Sequence, residues 1–348
     1  MKHCKYTLFG VILFCLLLAG CKKTSGITRY STQYLDLFDT LTVIDGYASS
    51  QEEFSKETEK LYEELKTYHQ LYDIYNDYEN INNIKTINDN AGIAPVKVDK
   101  KIIDLLLLGK EIYEETNGKV NIAFGSVLSI WHDYRTEELN DSENAKLPPM
   151  EELKIANKHV DISKVIIDEA ASTVYLEDKE MSLDVGSVGK GYATKMLTDY
   201  ANREGMNHLL ISVGGNISAI GTKEDGSNWV LGIQNPDTDS ETAYVQKVNA
   251  KDQSLVTSGN YQRYYMVDGK MYHHIIDPNT LMPSAYFASV SILNKDSGIA
   301  DALSTAVFNM PFEEGLQLIE SINDTEAMWI YEDGTFAYSN GFKEAIAQ

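Results

Sequence analysis

Tyr264–Ile276 reads YYMVDGKMYHHII. Two short runs rich in aromatic and apolar residues flank Asp268-Gly269, and an Asp-Gly pair between such runs signals a two-residue β-hairpin. Similar runs recur through the second half of the chain at Val165–Ile167, Thr173–Leu176, Leu209–Val213, Trp229–Ile233, Tyr244–Val248 and Phe287–Ile292. The strand after the hairpin turn is expected over Met271–Ile276, with helices over 187–204 and 297–321. Strands joined by tight turns, with helices inserted, predict an α+β fold with largely antiparallel sheets. No repeat of fixed period and no low-complexity tract interrupts this pattern.

Upstream, residues 34–160 read as mainly helical. Phe54, Leu61, Tyr62, Leu65, Tyr68, Leu71 and Tyr72 fall near helical spacing within Glu52–Tyr75. Lys101–Thr116 predicts a second helix, stopped by Asn117-Gly118. The polar, Pro-terminated stretch Glu137–Pro149 predicts a surface loop. Residues 34–348 are therefore expected to form one body, helical to about 160 and strand-rich beyond.

The chain of 348 residues is 43% hydrophobic and 10% aromatic, enough to bury a core and too apolar for a disordered chain. The formal net charge of −22 argues against nucleic acid as a partner, since phosphate binding needs clustered Lys and Arg. It also predicts repulsion from an anionic membrane surface, so membrane attachment requires an anchor. The N-terminus supplies a candidate. Lys2 and Lys5 precede an apolar run, Leu8–Leu18, of secretory length and short for a membrane span. Leu18-Ala-Gly-Cys21 then resembles a bacterial lipobox, with cleavage before Cys21 and lipidation of its thiol. Residues 1–20 are read as the signal peptide and 21–33 as the lipidated cysteine and a polar tether. Cys4 and Cys15 leave with the signal, so no thiol remains for a disulfide, for catalysis or for zinc. Two lysines leave with it too, taking the net charge to −24. The expected location is the extracytoplasmic face of the cell membrane.

Four stretches carry candidate chemistry. Asp184-Val-Gly-Ser-Val-Gly-Lys-Gly191 opens a predicted helix, where backbone amides and Lys190 suit a phosphate. Its spacing is not that of a P-loop, and by spacing alone a tight turn is favoured. Ser212-Val-Gly-Gly-Asn-Ile217 permits close backbone approach, but taken alone it reads better as a bulge or hairpin turn. Thr257-Ser-Gly-Asn-Tyr-Gln-Arg263 precedes His273-His-Ile-Ile-Asp-Pro278. A histidine can take a proton from a hydroxyl nucleophile, and adjacent strand histidines point to opposite faces, so at most one faces a given site. In Ala300-Asp-Ala-Leu-Ser-Thr-Ala306, Asp301 and Thr305 share one helical face and offer hard oxygen ligands suited to Mg²⁺. The competing reading places Asp301 as a helix-start carboxylate. Zinc-hydrolase and serine-hydrolase motifs are absent from the sequence.

Taken in order, Asp-x-Gly-x-x-x-Lys-Gly-Tyr-Ala, Gly-Gly-Asn, Thr-Ser-Gly, His-Ile-Ile-Asp-Pro and Ala-Asp-x-x-x-Thr-Ala resemble the FAD:protein FMN transferase (ApbE-like) family. The resemblance runs from about Phe38 to the C-terminal strands and implies an ApbE-like, T-fold-like architecture. It implies that FAD is split at its diphosphate, FMN passes to a Thr or Ser hydroxyl of an acceptor protein, and AMP leaves, with Mg²⁺ as the metal. It implies FAD contacts at Asp184 and Lys190, a backbone metal contact at Ser187, and metal ligands at Asp301 and Thr305. His274 matches the candidate base and Ile275 a backbone FAD contact. Phe38, Tyr75 and Lys119, Val120 and Asn121 fall where the family contacts the flavin nucleotide. Arg263 is a further candidate for charge neutralisation and reads equally as a surface arginine. Three departures stand out: Phe38-Asp39-Thr40 for Met-Gly-Thr, Gly118-Lys-Val-Asn121 for Gly-Ala-Phe-Asp, and Thr280-Leu281 for Thr-Gly.

Two other readings use the same residues. A Mg²⁺-dependent FAD pyrophosphatase would let water replace the acceptor hydroxyl. A lipid-anchored flavin-binding protein would need no chemistry, and Asp301, Thr305 and His274 weigh against it.

Overall fold

The computed structural model describes residues 26–140 and 145–347. The signal segment, Cys21 and most of the tether therefore lie outside the described residues. The chain opens with a long hairpin, β1 (Thr28–Leu37) and β2 (Thr40–Ala48). Residues 28–33 are thus strand rather than tether, and the first segment is not mainly helical from residue 34. The helix α1 (Gln51–Tyr72) follows, capped by Ser50, whose side chain accepts from the Glu53 amide. Its buried residues Phe54, Thr58, Leu61, Leu65, Tyr68 and Tyr72 recur at steps of three and four, a single stripe against the sheet.

Next come α2 (Ile84–Asp89), β3 (Val96–Lys97), α3 (Lys100–Glu115), α4 (Gly125–Asn140), α5 (Met150–Ala156), β4 (Val165–Asp168) and β5 (Thr173–Leu176). The expected loop from Glu137 is helical to Asn140; residues 141–144 lie outside the described residues, and no regular element covers 145–149. Beyond it lie α6 (Gly189–Arg203), β6 (Leu209–Val213), β7 (Asn216–Ile220), β8 (Trp229–Gln234), β9 (Tyr244–Ala250) and β10 (Gln253–Gly259). The hairpin at Asp268-Gly269 is present as β11 (Tyr264–Val267) and β12 (Lys270–His273), with positive φ at both turn residues. The strand expected to reach Ile276 stops at His273; β13 (Ile276–Asp277) and β14 (Met282–Pro283) form a separate short pair.

The chain ends with β15 (Ser289–Asn294), α7 (Ser297–Phe308), α8 (Phe312–Ser321), β16 (Glu326–Ile330) and β17 (Phe336–Tyr338). A single helix over 297–321 is not formed. Pro311 has no amide to donate and its ring disfavours helix before it, so the chain turns at Asn309–Pro311 and restarts as α8.

The main sheet has eight strands in the order β1-β2-β6-β7-β10-β15-β16-β17, every neighbouring pair antiparallel. Helices α1, α6 and α7 pack on one face. The β8–β9 hairpin and Phe342 cover the other through Trp229, Leu231, Leu255, Leu293 and Met328. Covered on both sides, every residue of β15 is buried, which is why Phe287–Ile292 reads as a run rather than an alternation. A third cluster joins α4 and α5 to the β11–β12 hairpin through Trp131, Val127, Leu153, Tyr265 and Leu281. A cavity lies between this small unit and residues of the main sheet and α7.

Candidate active site

The cavity measures about 530 Å³, within the range of small-molecule sites. Its walls include Phe38, Tyr75, Lys119, Val120, Asn121, Asp184, Ser187, Lys190, Asn216, Thr257, Ser258, Arg263, His274, Ile275, Asp301 and Thr305. Every side chain singled out in the sequence for FAD, metal or base chemistry reaches it, over a span from residue 38 to residue 305.

Asp301 sits one turn inside α7. The helix-start role belongs instead to Asp296, which accepts the Gly298 and Ile299 amides, so capping does not explain Asp301. Asp301 is 5% exposed, and burial raises its pKa. One carboxylate oxygen, Oδ2, accepts the Gly191 amide at 2.7 Å and Asn216 Nδ2 at 3.3 Å. Oδ1 has no hydrogen-bond partner among the described residues. Gly191 is required here: a Cβ would lie 2.3 Å from the Asp301 Cβ and 2.4 Å from the Ser297 carbonyl, forcing α6 off α7. The Gly-Gly-Asn motif is a hairpin turn and more. Gly214 and Gly215 take positive φ between β6 and β7, Gly214 packs on Thr40, and Asn216 then points at the Asp301 carboxylate.

A proton chain orients Thr305. Ser304 Oγ donates to the Asp301 carbonyl at 2.8 Å, which leaves it to accept from Ser258 Oγ at 2.8 Å. Ser258 can then accept from Thr305 Oγ1 at 3.5 Å, leaving the Thr305 lone pairs to the cavity. Ser258 is a site residue whose connection to α7 its motif alone does not reveal. The donor set fits a hard divalent cation: a buried carboxylate with one free oxygen, a hydroxyl one turn away, and the chain at Ser187 facing the same space. Among the described residues no group of three or more His, Cys, Asp or Glu side chains forms a metal cluster, so water and substrate oxygens would complete the shell.

The two histidines divide between interior and cavity, although only His273 lies on a strand. His273 is buried; Nε2 donates to the Ser284 carbonyl at 2.7 Å and Nδ1 accepts the Ile275 amide at 3.2 Å. Both nitrogens are committed, and the ring holds the loop. His274 opens to the cavity, and its Nδ1 can only donate to the Arg263 carbonyl, at 3.2 Å. Nε2 therefore carries the free lone pair, the correct tautomer for a base. The surrounding protein, then Arg263, His273, Lys190 and Arg135, lower the His274 pKa below the ordinary 6.5.

Three of the carried-over residues already have partners within the protein. Ile275 spends its amide on His273 and its carbonyl on the Ser284 amide, so its backbone is already paired. The Lys119 ammonium is 3.1 Å from Asp277, a pair 12% and 5% exposed that fixes the Asp-Pro turn. Asn121 bonds the Val160 carbonyl and the Ala123 amide, so this side chain shapes the wall. Phe38 and Asp39 both take positive φ, and Asp39 stands where the resemblance places glycine. The Phe38 amide donates to His69 Nδ1 at 3.1 Å, and His69, Tyr78 and Asp73 continue as a hydrogen-bonded chain. Tyr75 lies against His132 with ring centroids 5.1 Å apart. His69, His132 and Arg135 were not singled out in the sequence; they sit on helix faces among solvent-facing residues and converge only in the fold.

A family model described as the ApbE family matches residues 28–329. The chain belongs to the ApbE family. An FAD:protein FMN transferase from Treponema pallidum (strain Nichols) is 32% identical over 275 residues, 75% of this chain and 74% of that protein. One from Vibrio cholerae serotype O1 is 26% identical over 94% of this chain and 93% of that protein. Among solved structures, the ApbE protein of Thermotoga maritima superposes with a TM-score of 0.79 at 27% identity, covering 92% of this chain and all of that one. The flavin transferase ApbE from Vibrio cholerae gives a TM-score of 0.75 at 20% identity, a likeness of fold. The α+β architecture with antiparallel sheets is thus the ApbE architecture. The cavity described above lies within the matched span.

Proposed function

We propose that the protein is an FAD:protein FMN transferase that attaches FMN through a phosphoester to a Thr or Ser of an acceptor protein and releases AMP. The observation that supports it most is the convergence of Asp184, Lys190, Asn216, Ser258, His274, Asp301 and Thr305 on one cavity. Phosphoryl transfer asks for positioning and charge neutralisation more than for covalent chemistry, and these groups supply both. Lys190 has no carboxylate partner among the described ion pairs and faces the space where a diphosphate is expected. Asp184 accepts the Gly186 amide at 2.8 Å, which shapes the turn leading to the α6 amides. His274 Nε2 accepts the proton of the acceptor hydroxyl, while the Arg263 carbonyl holds the ring in place. Phe38, Tyr75, Lys119, Val120, Asn121 and Ile275 form the flavin-nucleotide wall; Lys119 and Asn121 act by holding that wall rather than by a free charge.

Asp301, Thr305 and the chain at Ser187 would hold Mg²⁺. Bound there, the ion supplies Lewis-acid neutralisation of phosphate oxygens. We also place the protein on the extracytoplasmic face of the cell membrane, anchored by lipid on Cys21; the basic start, apolar run and lipobox support this. Acceptor mass and AMP are measured after incubation with FAD, Mg²⁺ and a Thr-bearing acceptor. A gain of one FMN per acceptor with equimolar AMP is expected. AMP and free FMN with unmodified acceptor would favour pyrophosphatase chemistry, and bound FAD with neither product would favour a binding protein.

A further inference from the structure

The cavity carries two cations beyond its family motifs' lysine. Arg135, on α4, and Arg263, just before β11, both face it. Neither guanidinium takes part in an ion pair among the described residues. Arg135 Nη2 donates to His132 Nδ1 at 3.1 Å, which fixes the guanidinium beside the ring that lies on Tyr75. Arg263 is held through its backbone, whose carbonyl accepts both the amide and Nδ1 of His274. The two positive charges feel each other: burial, then Arg263, lower the Arg135 pKa. In a chain of net charge −22, two guanidiniums directed into a cavity without a carboxylate partner mark a place for an anion.

We propose that Arg135 and Arg263 form a clamp on the diphosphate of FAD and on the AMP that leaves it. The inference rests on the transferase reading. The acceptor oxygen forms a bond to the FMN phosphorus, and the bond from that phosphorus to the bridging oxygen breaks. AMP departs with the bridging oxygen and its electron pair, and the acceptor proton passes to His274 Nε2. The negative charge that grows on AMP is what the two guanidiniums hold.

The test uses the whole protein carrying Arg135→Gln, Arg263→Gln or both, with Arg135→Lys and Arg263→Lys as charge-retaining controls. Binding of FAD, ADP and riboflavin is measured by titration, and transfer by acceptor mass at varied FAD and varied acceptor. Each Gln variant is expected to lower kcat/KM for FAD by about tenfold or more and to weaken ADP, with riboflavin affinity within about twofold. The Lys variants are expected to recover part of the loss. Unchanged FAD turnover in the double variant overturns the clamp. So does an equal fall in FAD and riboflavin affinity, which would mark a structural role. So does a rise confined to the acceptor KM, which would place an acceptor carboxylate there instead. A wild-type protein that neither transfers FMN nor releases AMP would sink the transferase reading, while the ADP-against-riboflavin comparison would still judge the anion site.

Discussion

Asp301 is a buried carboxylate with one oxygen satisfied by protein and one left to the cavity. Such a group costs stability unless a cation joins it. Asp301→Asn is therefore expected to leave the melting temperature of metal-free protein unchanged or higher, while FMN transfer falls by about 100-fold or more. Thermal denaturation and acceptor mass check the two halves; retained transfer would refute the metal role. His274 gives a pH prediction. A base works only when neutral, and its pKa lies below the ordinary 6.5, so protonation removes activity only as the pH falls towards the lowered value. The pH profile of kcat/KM for FAD is expected to show no half-loss near 6.5, and Arg263→Gln, by removing a cation, to move the acid limb upward. Asp301, Thr305, Lys190 and His274 are marked only through the ordered motifs that resemble the family, since each motif alone reads as a turn, a helix start or a structural histidine; the fold brings all four to one cavity. Ser258's link to Thr305 and the His69 chain were not legible, because each joins residues far apart in sequence.

The β11–β12 hairpin shows why some elements are readable. Asp268-Gly269 encodes its turn locally, and the register follows from the turn. β1 hides because its residues, TRYSTQYLDL, are mostly polar and its edge position buries little beyond Leu37. The break between α7 and α8 was overlooked because apolar spacing continues across it, although Pro311 marks it. Leu281 is the element-scale departure. It takes φ of +60° where glycine is usual in the family, is 5% exposed, and its carbonyl accepts Trp131 Nε1 at 3.0 Å. Left-handed strain costs about 1 kcal/mol, against about 2 kcal/mol or more from burying a leucine. Leu281→Gly is therefore expected to destabilise by about 1–3 kcal/mol, read by chemical denaturation, and to loosen the α4–β11 unit over the cavity. A stabilised variant would show that strain outweighs packing.

At the scale of the molecule, an acidic body places Lys190, Arg135 and Arg263 on one cleft beside Asp184 and Asp301. β1 begins at Thr28, so a lipid on Cys21 would hold the folded body within about 25 Å of the membrane. Cys21→Ala is expected to move the protein from the detergent phase to the aqueous phase on phase partition, with transfer to a soluble acceptor unchanged. Equal partition of both forms would remove the anchor. The account as a whole turns on where the dinucleotide lies. A crystal structure with FAD and Mn²⁺ in place of Mg²⁺, the metal located by anomalous scattering, tests this most directly. The account predicts the ion on Asp301 Oδ1 and Thr305 Oγ1, touching the diphosphate, with His274 Nε2 facing the FMN phosphorus. A diphosphate bound elsewhere, or a metal that ignores both oxygens, would contradict it.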